Sequence, residues 1–585
     1  MTSLADILYE FSVWLEIEGA PFKPRAYALA SESVTALGND VKDAWRAGGV
    51  KALIELPGIG RSIAEKIDEF YRTGHIKEYD TMKKRFPVDI TGLSHIEGLG
   101  PKHIAELYRR LGITDLAKLK RALARHEIRS LPRWGAKSEE RLAKNLALME
   151  RSSGRHLLGD ILPMADDIVA TLSKVRGVKR CAYAGSLRRR QETVGDIDLI
   201  ATTDDPGSVM DAFVALPLVE EVHEKGKTRS SVRLRNGIDA DLRVVPDDVF
   251  GATLQSFTGD KRHNVLLREI ALSKKFTLNE YGLFRLAKRK DGKKAGELVA
   301  CRTEEEIYKR LGMEMPPPEI RVGGDELDAA RSGTLPDLLP YGSVKGDLQV
   351  QTDWTDGSAS IEDMAKTAKA AGLSYLAVTD HTKALAFIHG LDDTGVTKQG
   401  KAIDALNRKL RGFRLLRGTE CDILRDGGLD LKDATLAKLD WVGISVHSLF
   451  NLSREVQTAR VVKAMSNPNV DCLFHPTCRI IGKREGLDLD MDEVIAAAKR
   501  FRVVLEIDCF PDRSDLRDLH VRAAVKAGVK LAIDTDAHGP DHFKFIPLGE
   551  AIARRGWATR KDVVNAMPLK DLLAYLDRKR KRRVS

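Results

Sequence analysis

The stretches 184-AGSLRRRQETVGDIDLI-200 and 232-VRLRNGIDADLRVV-245 decide how the middle of this chain folds. GDIDLI alternates as a strand does, and side chains two apart on a strand share a face, so Asp196 and Asp198 point the same way. Asn236-Gly237 marks a tight hairpin turn, after which Asp239 and Asp241 alternate with Ile238, Ala240 and Leu242. Carboxylates crowded on adjacent strands repel one another unless divalent cations sit between them, and hard oxygen donors favour Mg2+. A pair of such ions can activate a 3′-hydroxyl while holding a triphosphate. A D-x-D strand alone is common on solvated sheet edges. Here it follows Gly185-Ser186, a turn that with Arg189 can hold phosphates by backbone, hydroxyl and guanidinium donors, and it precedes a third carboxylate beyond a hairpin. Together these pieces point to nucleotidyl transfer.

Toward the amino terminus, residues 1 to about 150 are helical in pattern and broken by Gly/Pro turns. Two segments, 56-LPGIGRSIAEKI-67 and 96-IEGLGPKHIAEL-107, share one plan: an apolar residue, a G-x-G turn, then a helix with apolar spacing such as Ile63, Ile67 and Phe70. Glycines let such a turn approach a phosphate, and the following helix offers free backbone N–H groups to it. That recognises the DNA backbone and not its sequence. One copy would read equally well as an ordinary helix–helix turn; two copies in a basic chain indicate helix-hairpin-helix units with Gly58, Gly60, Gly98 and Gly100 at the DNA. A third segment, 131-LPRWGAKSEERL-142, is a degraded version and counts for little.

Toward the carboxyl terminus, 313-MEMPPPEIRVGGDELDAARSGTLP-336 carries a triple proline and a Gly pair and reads as an extended connection. Beyond it apolar strand-like runs alternate with helical ones (YLAVTDH, FRLLRGTECDIL, WVGISVHS, VDCLFHP, VVLEIDCF, VKLAIDTDAH), which implies a parallel sheet or barrel with its ligand-binding groups at the strands' carboxyl ends. His381, Glu420, His447, His475, Asp536 and His538 stand at such ends. One such histidine is usually structural, but six positions of this kind indicate a metal cluster.

The 585 residues are 43% hydrophobic and 31% charged, too many for one core and too ordinary for disorder. The formal charge of +10 suits a polyanionic partner. The six cysteines form no CxxC pair, so neither a disulfide framework nor a zinc ribbon is expected, and a reducing cytoplasm fits. MTSLADILYEFSVWLEIEG reads as an amphipathic helix, no run approaches the length that crosses a bilayer, and 578-RKRKRRVS-585 reads as a solvated tail. The expectation is a soluble, monomeric protein.

GSLRRRQETVGDIDLI, DADLRVV, SFTGDKRHNVLLR and FTLNEYGLF resemble the palm and thumb of family X DNA polymerases, and LPGIGRSIAEKIDEF is similar to their amino-terminal domain. Essentially the whole chain resembles the bacterial form, which carries a PHP domain after the polymerase. The resemblance implies a multi-domain α+β and α/β chain. It would comprise a lyase-like helical domain with a helix-hairpin-helix (1–85), a second helix-hairpin-helix or fingers domain (86–150) and a nucleotidyltransferase palm (151–245). A thumb (246–320), a linker (321–345) and a PHP-type distorted (β/α)7 barrel (346–585) would follow.

The same resemblance implies roles. Asp196, Asp198 and Asp241 would be the Mg2+-binding triad, with Asp241 accepting the 3′-hydroxyl proton; Ser186, Arg189 and Gly195, beside Gly185, would bind the triphosphate of a dNTP. Phe257 and Gly259 would shape the sugar pocket, Asn264 would meet the base's minor-groove edge, and Arg268 would meet the template strand. Ser256 stands where the family usually has Tyr, which bears on packing at the primer end and on sugar discrimination. Asp239 is an extra carboxylate with a supporting role. Lys66 falls where lyase members place a Schiff-base lysine and Lys23 where they contact a 5′-phosphate, although Ser62 stands where those members often have a basic residue; a surface lysine fits Lys66 as well.

The carboxy-terminal runs resemble the PHP phosphoesterase domain, whose cluster binds up to three Zn2+ or Mn2+ ions and in bacterial polymerases supplies a 3′ to 5′ exonuclease. Its opening motif is D-L-H-x-H followed by an Asp before Gly; in 346-GDLQVQTDWTDG-357, Asp347, Leu348, Asp356 and Gly357 match, whereas Gln349 and Gln351 do not. A Gln amide is a poor donor to these ions compared with imidazole, so one metal position is expected to be weak and the exonuclease attenuated. Asp356, His381, Glu420, His447, His475, Asp536 and His538 remain. The expected function is gap filling on gapped or nicked DNA in a bacterial cytoplasm, in repair. Rival readings are a PHP phosphoesterase whose polymerase half only binds DNA, and a non-catalytic DNA-end scaffold.

Overall fold

The computed structural model describes residues 4–584 apart from 38, 57, 95, 97–98, 133, 153, 287–295 and 386–387. It divides into two compact units, residues 1–153 with 479–485 and residues 154–478 with 486–585. Among the described residues no helix is long and apolar enough to cross a membrane, and all six cysteines are free.

The first unit is helical. The two G-x-G turns end on Gly60 and Gly100, extended residues that begin helices α1 (Arg61–Thr73) and α2 (Pro101–Leu111). Ile63, Ile67, Ile104 and Leu107 are buried in one core with Leu8, Phe11 and Trp14, so the segments 1–85 and 86–150 share a single apolar interior. Gly58 takes φ +71°, and a Cβ there would stand 2.9 Å from Ser33 Oγ, which is why the turn needs glycine.

In the second unit the palm is a five-stranded sheet ordered β1-β2-β5-β4-β3, from β1 (Val178–Tyr183), β2 (Asp196–Thr203), β3 (Val219–Lys225), β4 (Arg229–Leu234) and β5 (Asp239–Val244). Strands β4 and β5 form the expected hairpin around Gly237, at φ +85°. Strands β2 and β5 run parallel, with Asp196 opposite Asp239 and Asp198 opposite Asp241. On β2, Ile197, Leu199 and Ala201 face the main core, while Ile200 continues the Asp196/Asp198 face and packs under Phe250 and Leu254 of α3 (Phe250–Thr258). One sheet face is therefore covered by α3 at one end and left open at the end that carries the carboxylates.

The thumb adds α4 (Lys261–Ser273) and a three-stranded antiparallel sheet of Phe276–Asn279, Gly282–Arg285 and Leu298–Ala300. The connection that follows is not extended as expected. Arg321 is fully buried, donating to Glu304 Oε1 at 2.5 Å and to the Pro316 carbonyl at 2.9 Å. Next comes α5 (Glu326–Ser332), whose buried Glu326 meets His263 Nδ1 at 2.8 Å, while His263 Nε2 meets Tyr308 Oη at 2.8 Å. Proline and glycine content suggested a spacer; ionic partners far along the chain fold it instead.

The barrel has seven parallel strands in sequential order: β6 (Gly346–Val350), β7 (Tyr375–Val378), β8 (Arg414–Asp422), β9 (Trp441–Ser445), β10 (Cys472–Leu473), β11 (Val504–Asp508) and β12 (Leu531–Asp534). It nearly closes, because Ala537 just beyond β12 bridges to Val350 and exchanges backbone bonds with Gln349 and Gln351. Leu348, Tyr375, Leu416, Trp441, Cys472, Val504 and Ala532, one from every strand, make one interior layer that Leu572 and Leu576 of α7 (Leu569–Val584) close. The basic run expected as a tail continues this helix. Outer helices include α6 (Ile546–Arg555). Palm and barrel share one continuous apolar core.

Candidate active sites

An open cleft of about 520 Å³ lies at the uncovered end of the palm sheet. Gly185, Ser186, Arg189, Asp196, Asp198, Phe257, Gly259, Asn264 and Arg268 all line it, together with Ser256, Lys261 and Val265. Gly185 has φ +60°, and a Cβ on it would stand 2.4 Å from Asp198 Oδ2, so the phosphate-type turn reaches the carboxylates only as glycine. Burial first, then Asp196 and Asp241, push Asp198 up to about 6; burial first, then Asp241, raise Asp196 too. That mutual repulsion, with hard oxygen donors only, fits a divalent cation. Asp241 has Arg229 Nη2 at 3.2 Å from its Oδ2. Asp239 instead makes a two-pronged pair with Arg233, at 2.6 and 2.9 Å, which holds it below the usual carboxylate range, while its charge still adds to the repulsion at Asp196.

Asn264 donates Nδ2 to the Ser256 carbonyl at 2.7 Å and accepts from Gln255 Nε2 at 2.8 Å, leaving one amide hydrogen for a ligand. Ser256 keeps that contact through its backbone. Gly195 lies under Arg155, whose Nη1 would be 3.4 Å from a Cβ there. Arg155, Arg229 and Arg243, which stacks on Phe257 at 4.7 Å, were not singled out from the sequence. Neither was Arg188, which donates to Thr258 Oγ1 at 2.6 Å and to Glu304 Oε2 at 2.5 Å. Their partners lie on other elements, 12 to 116 residues away, and no local spacing announces them.

At the barrel's carboxyl ends two groups of three side chains have donor atoms within 4.8 Å of one another: Asp356, His381 and His538, and His381, Glu420 and His447. Buried Glu420 is the hub, with His475 Nε2 at 2.8 Å, His447 Nε2 at 3.2 Å and His381 Nδ1 at 3.4 Å. Burial alone would raise its pKa; the histidines outweigh that and hold it well below the carboxylate range. Asp356 Oδ2 lies 3.5 Å from His538 and 3.6 Å from His381. Asp536 is in neither triad, and its buried Oδ1 has no hydrogen-bond partner. His475 and Asp536 take φ of +25° and +48°, backbone conformations that non-glycine residues hold only when their surroundings demand it. Asp422, missed in the sequence, orients His447 through Nδ1 at 3.1 Å. This nitrogen and oxygen donor set suits Zn2+ or Mn2+.

The two glutamines do not fit that role. Gln351 donates Nε2 to Glu420 Oε2 at 2.7 Å, placing a neutral amide against the hub. Gln349 is fully buried with neither amide atom partnered, and Gln351 Oε1 is likewise bare.

In the helical unit, Gly58, Gly60 and Gly100 lie at the turns described, Gly98 lies outside the described residues, and Lys23 begins the exposed start of helix Lys23–Leu37. Lys66, expected as a candidate amine nucleophile, is an ion pair: its Nζ is 2.7 Å from Glu78 Oε2. Burial would lower its pKa, but Glu78 and Tyr27 outweigh burial and raise it, opposite to what a Schiff-base amine needs.

Comparison with known proteins agrees with this geometry. The helix-hairpin-helix domain matches residues 2–76, the SAM-like helix-hairpin-helix tandem 90–147, the DNA polymerase beta thumb 253–322 and the PHP domain 347–505. The tandem match spans the degraded third segment as well. DNA polymerase/3′-5′ exonuclease PolX of Bacillus subtilis is 36% identical over 575 residues, 98% of each chain. DNA polymerase lambda of Rattus norvegicus is 25% identical over 52% of this chain and 53% of its own. A probable phosphatase of Thermoanaerobacter sp. is 30% identical over 31% of this chain and 73% of its own.

Proposed function

The chain belongs to the family of the bacterial DNA polymerase/3′-5′ exonuclease PolX, and on that premise we propose that it is a DNA-directed DNA polymerase filling short gaps in repair. The observation that carries this reading is the single cleft in which Asp196 and Asp198 meet Ser186, Arg189, Asn264 and Arg268.

Asp196, Asp198 and Asp241 would hold Mg2+, which when bound supplies charge stabilisation to the transferred phosphoryl group and acidifies the attacking hydroxyl. The protein's own groups do the positioning. Ser186, Arg189 and the Gly185 and Gly195 backbone grip the triphosphate; Phe257 and Gly259 bound the sugar; Asn264 reaches the base and Arg268 the template. Asp241 takes the 3′-hydroxyl proton. The glycine turns at Gly58, Gly60, Gly98 and Gly100, with Lys23, hold the DNA backbone. Lys66, paired with Glu78, anchors its helix, and a Schiff-base step there would first need that pair opened.

The barrel keeps a donor set for one or two ions, Zn2+ or Mn2+, in Asp356, His381, Glu420, His447, His475, Asp536 and His538. Its exonuclease is attenuated, because neutral amides occupy two ligand positions. An intact carboxylate triad beside an incomplete barrel site disfavours a purely phosphoesterase role, and a cleft assembled this fully disfavours a passive scaffold.

The test is a gapped, 5′-phosphorylated duplex incubated with dNTPs and Mg2+. Wild type extends the primer, and Asp241→Ala slows extension on the order of 10³-fold or more, as loss of several kcal/mol of transition-state stabilisation requires. No extension by wild type would overturn the reading.

A further inference from the structure

We propose that the barrel buttresses the nucleotide site through Arg555, which acts as a positioning residue for the loop that grips the triphosphate. The inference rests on the assignment of Ser186 and Arg189 to that triphosphate.

Arg555 ends α6 on the barrel and is 6% exposed. Its Nη1 donates to the carbonyl of Arg190 in the palm. Its Nε donates to Asp518 Oδ2 at 2.8 Å, so a barrel carboxylate aims the guanidinium across at the palm. Glu192 Oε2 lies 3.9 Å from Nη2 on the same loop. The palm and barrel surfaces touch closely nearby: a Cβ on Gly159 would stand 2.8 Å from Pro511 and 3.0 Å from Leu548 of α6. Arg555 therefore crosses a packed junction.

The residue it holds is strained. Arg190 has φ +53°, a region that side-chain-bearing residues occupy only under constraint. Its amide bonds the Leu187 carbonyl at 3.0 Å, its Nη2 bonds Tyr183 Oη at 2.8 Å, and Gln191 N closes the loop on the Ser186 carbonyl at 3.0 Å. Arg190 directly follows Arg189, so the loop bearing Ser186 and Arg189 is set by a backbone conformation whose carbonyl is satisfied from the barrel. The carboxylates on β2 and β5 make no such contact with Arg555. Loss of Arg555 should thus loosen nucleotide binding more than the chemical step. The barrel then contributes to polymerisation whether or not it cuts DNA.

The test is a dNTP titration of single-nucleotide gap filling by the full chain, with DNA affinity and melting temperature measured alongside. Arg555→Ala should raise KM for dNTP about tenfold, the size of one lost charge-assisted hydrogen bond, with kcat within about threefold and DNA affinity unchanged. Asp518→Asn should shift KM in the same direction by less. Arg522→Ala is the control: Arg522 lies on the same helix as Asp518 and pairs with Asp325 of the connection at 2.9 Å, away from the loop, and should leave KM at the wild-type value. If Arg555→Ala does not fold, Arg555→Lys decides, because an ammonium retained by Asp518 lacks the fork that reaches Arg190. An unchanged KM in the folded Arg555 variant, or an equal rise in Arg522→Ala, overturns the proposal while leaving the polymerase assignment intact. Failure of wild type to incorporate any nucleotide removes the assignment beneath it.

Discussion

Asp198 stands opposite Asp241 across the strand pair and two residues from Asp196, and its pKa of about 6 lies above the value near 4 that an unfolded chain gives it. A carboxyl raised in this way costs nothing below about pH 4, where both states hold the proton, and its full penalty is present above pH 6. Asp198→Asn should therefore stabilise the metal-free protein at pH 7.5 by on the order of 1–2 kcal/mol while abolishing extension, and the gain should fade as pH falls through 6 toward 4. Thermal melts in chelator at pH 7.5 and 4.5 check the sign; a destabilised variant at pH 7.5 would refute the repulsion argument. At this scale the sequence was legible where a residue's role follows from its neighbours two positions away. It was not legible for Arg229 against Asp241 or Glu78 against Lys66, because nothing in the local chain says which opposite charge arrives.

Strand β6 contains the feature that its sequence hides. Its pairing with β7 slips between Asp347 and Val350, so Leu348 joins the interior layer while Val350, two residues on, joins the outer core. Both residues are apolar and either face would accept them, so alternation alone does not reveal the irregularity. Gln351, flanking Val350, is thereby delivered to Glu420. Gln351→His should restore a ligand at the hub: elemental analysis should find up to one more Zn2+ or Mn2+ per chain, affinity should rise by about 10 to 100-fold or more, and single-stranded DNA should be trimmed faster with Mn2+. If the metal content and trimming rate both stay at wild-type values, the glutamines are not what weakens this site. The strands themselves, and the histidines and acids at their carboxyl ends, were readable because each is a short apolar run ending in a polar residue.

Across the whole second unit, buried charges join parts that the sequence keeps apart. Arg188 of the palm, Glu304 of the thumb and Arg321 of the connection form one ionic chain, and Glu319 of the same connection pairs with Arg554 of the barrel at 2.7 Å. Glu304→Ala would leave the fully buried Arg321 guanidinium without its carboxylate, a loss of about 3–5 kcal/mol, seen as an earlier unfolding transition in denaturant; an unshifted transition would mean that the chain tolerates the unpaired cation. A Pro- and Gly-rich connection gives no hint of this, because burying an arginine depends on which carboxylate meets it in three dimensions. By itself the sequence determined the helical hairpins, the palm carboxylates beside the Gly185-Ser186 turn, and the barrel strands with acids and histidines at their ends, since each is encoded by spacings of one to four residues that the backbone converts directly into geometry. Only the tertiary structure decided that the connection is packed, that Lys66 pairs with Glu78, that Asp239 pairs with Arg233, and that Arg555 reaches from barrel to palm. Those outcomes turn on polar partners from 6 to 365 residues away, whose desolvation is compensated only once the fold has put them side by side.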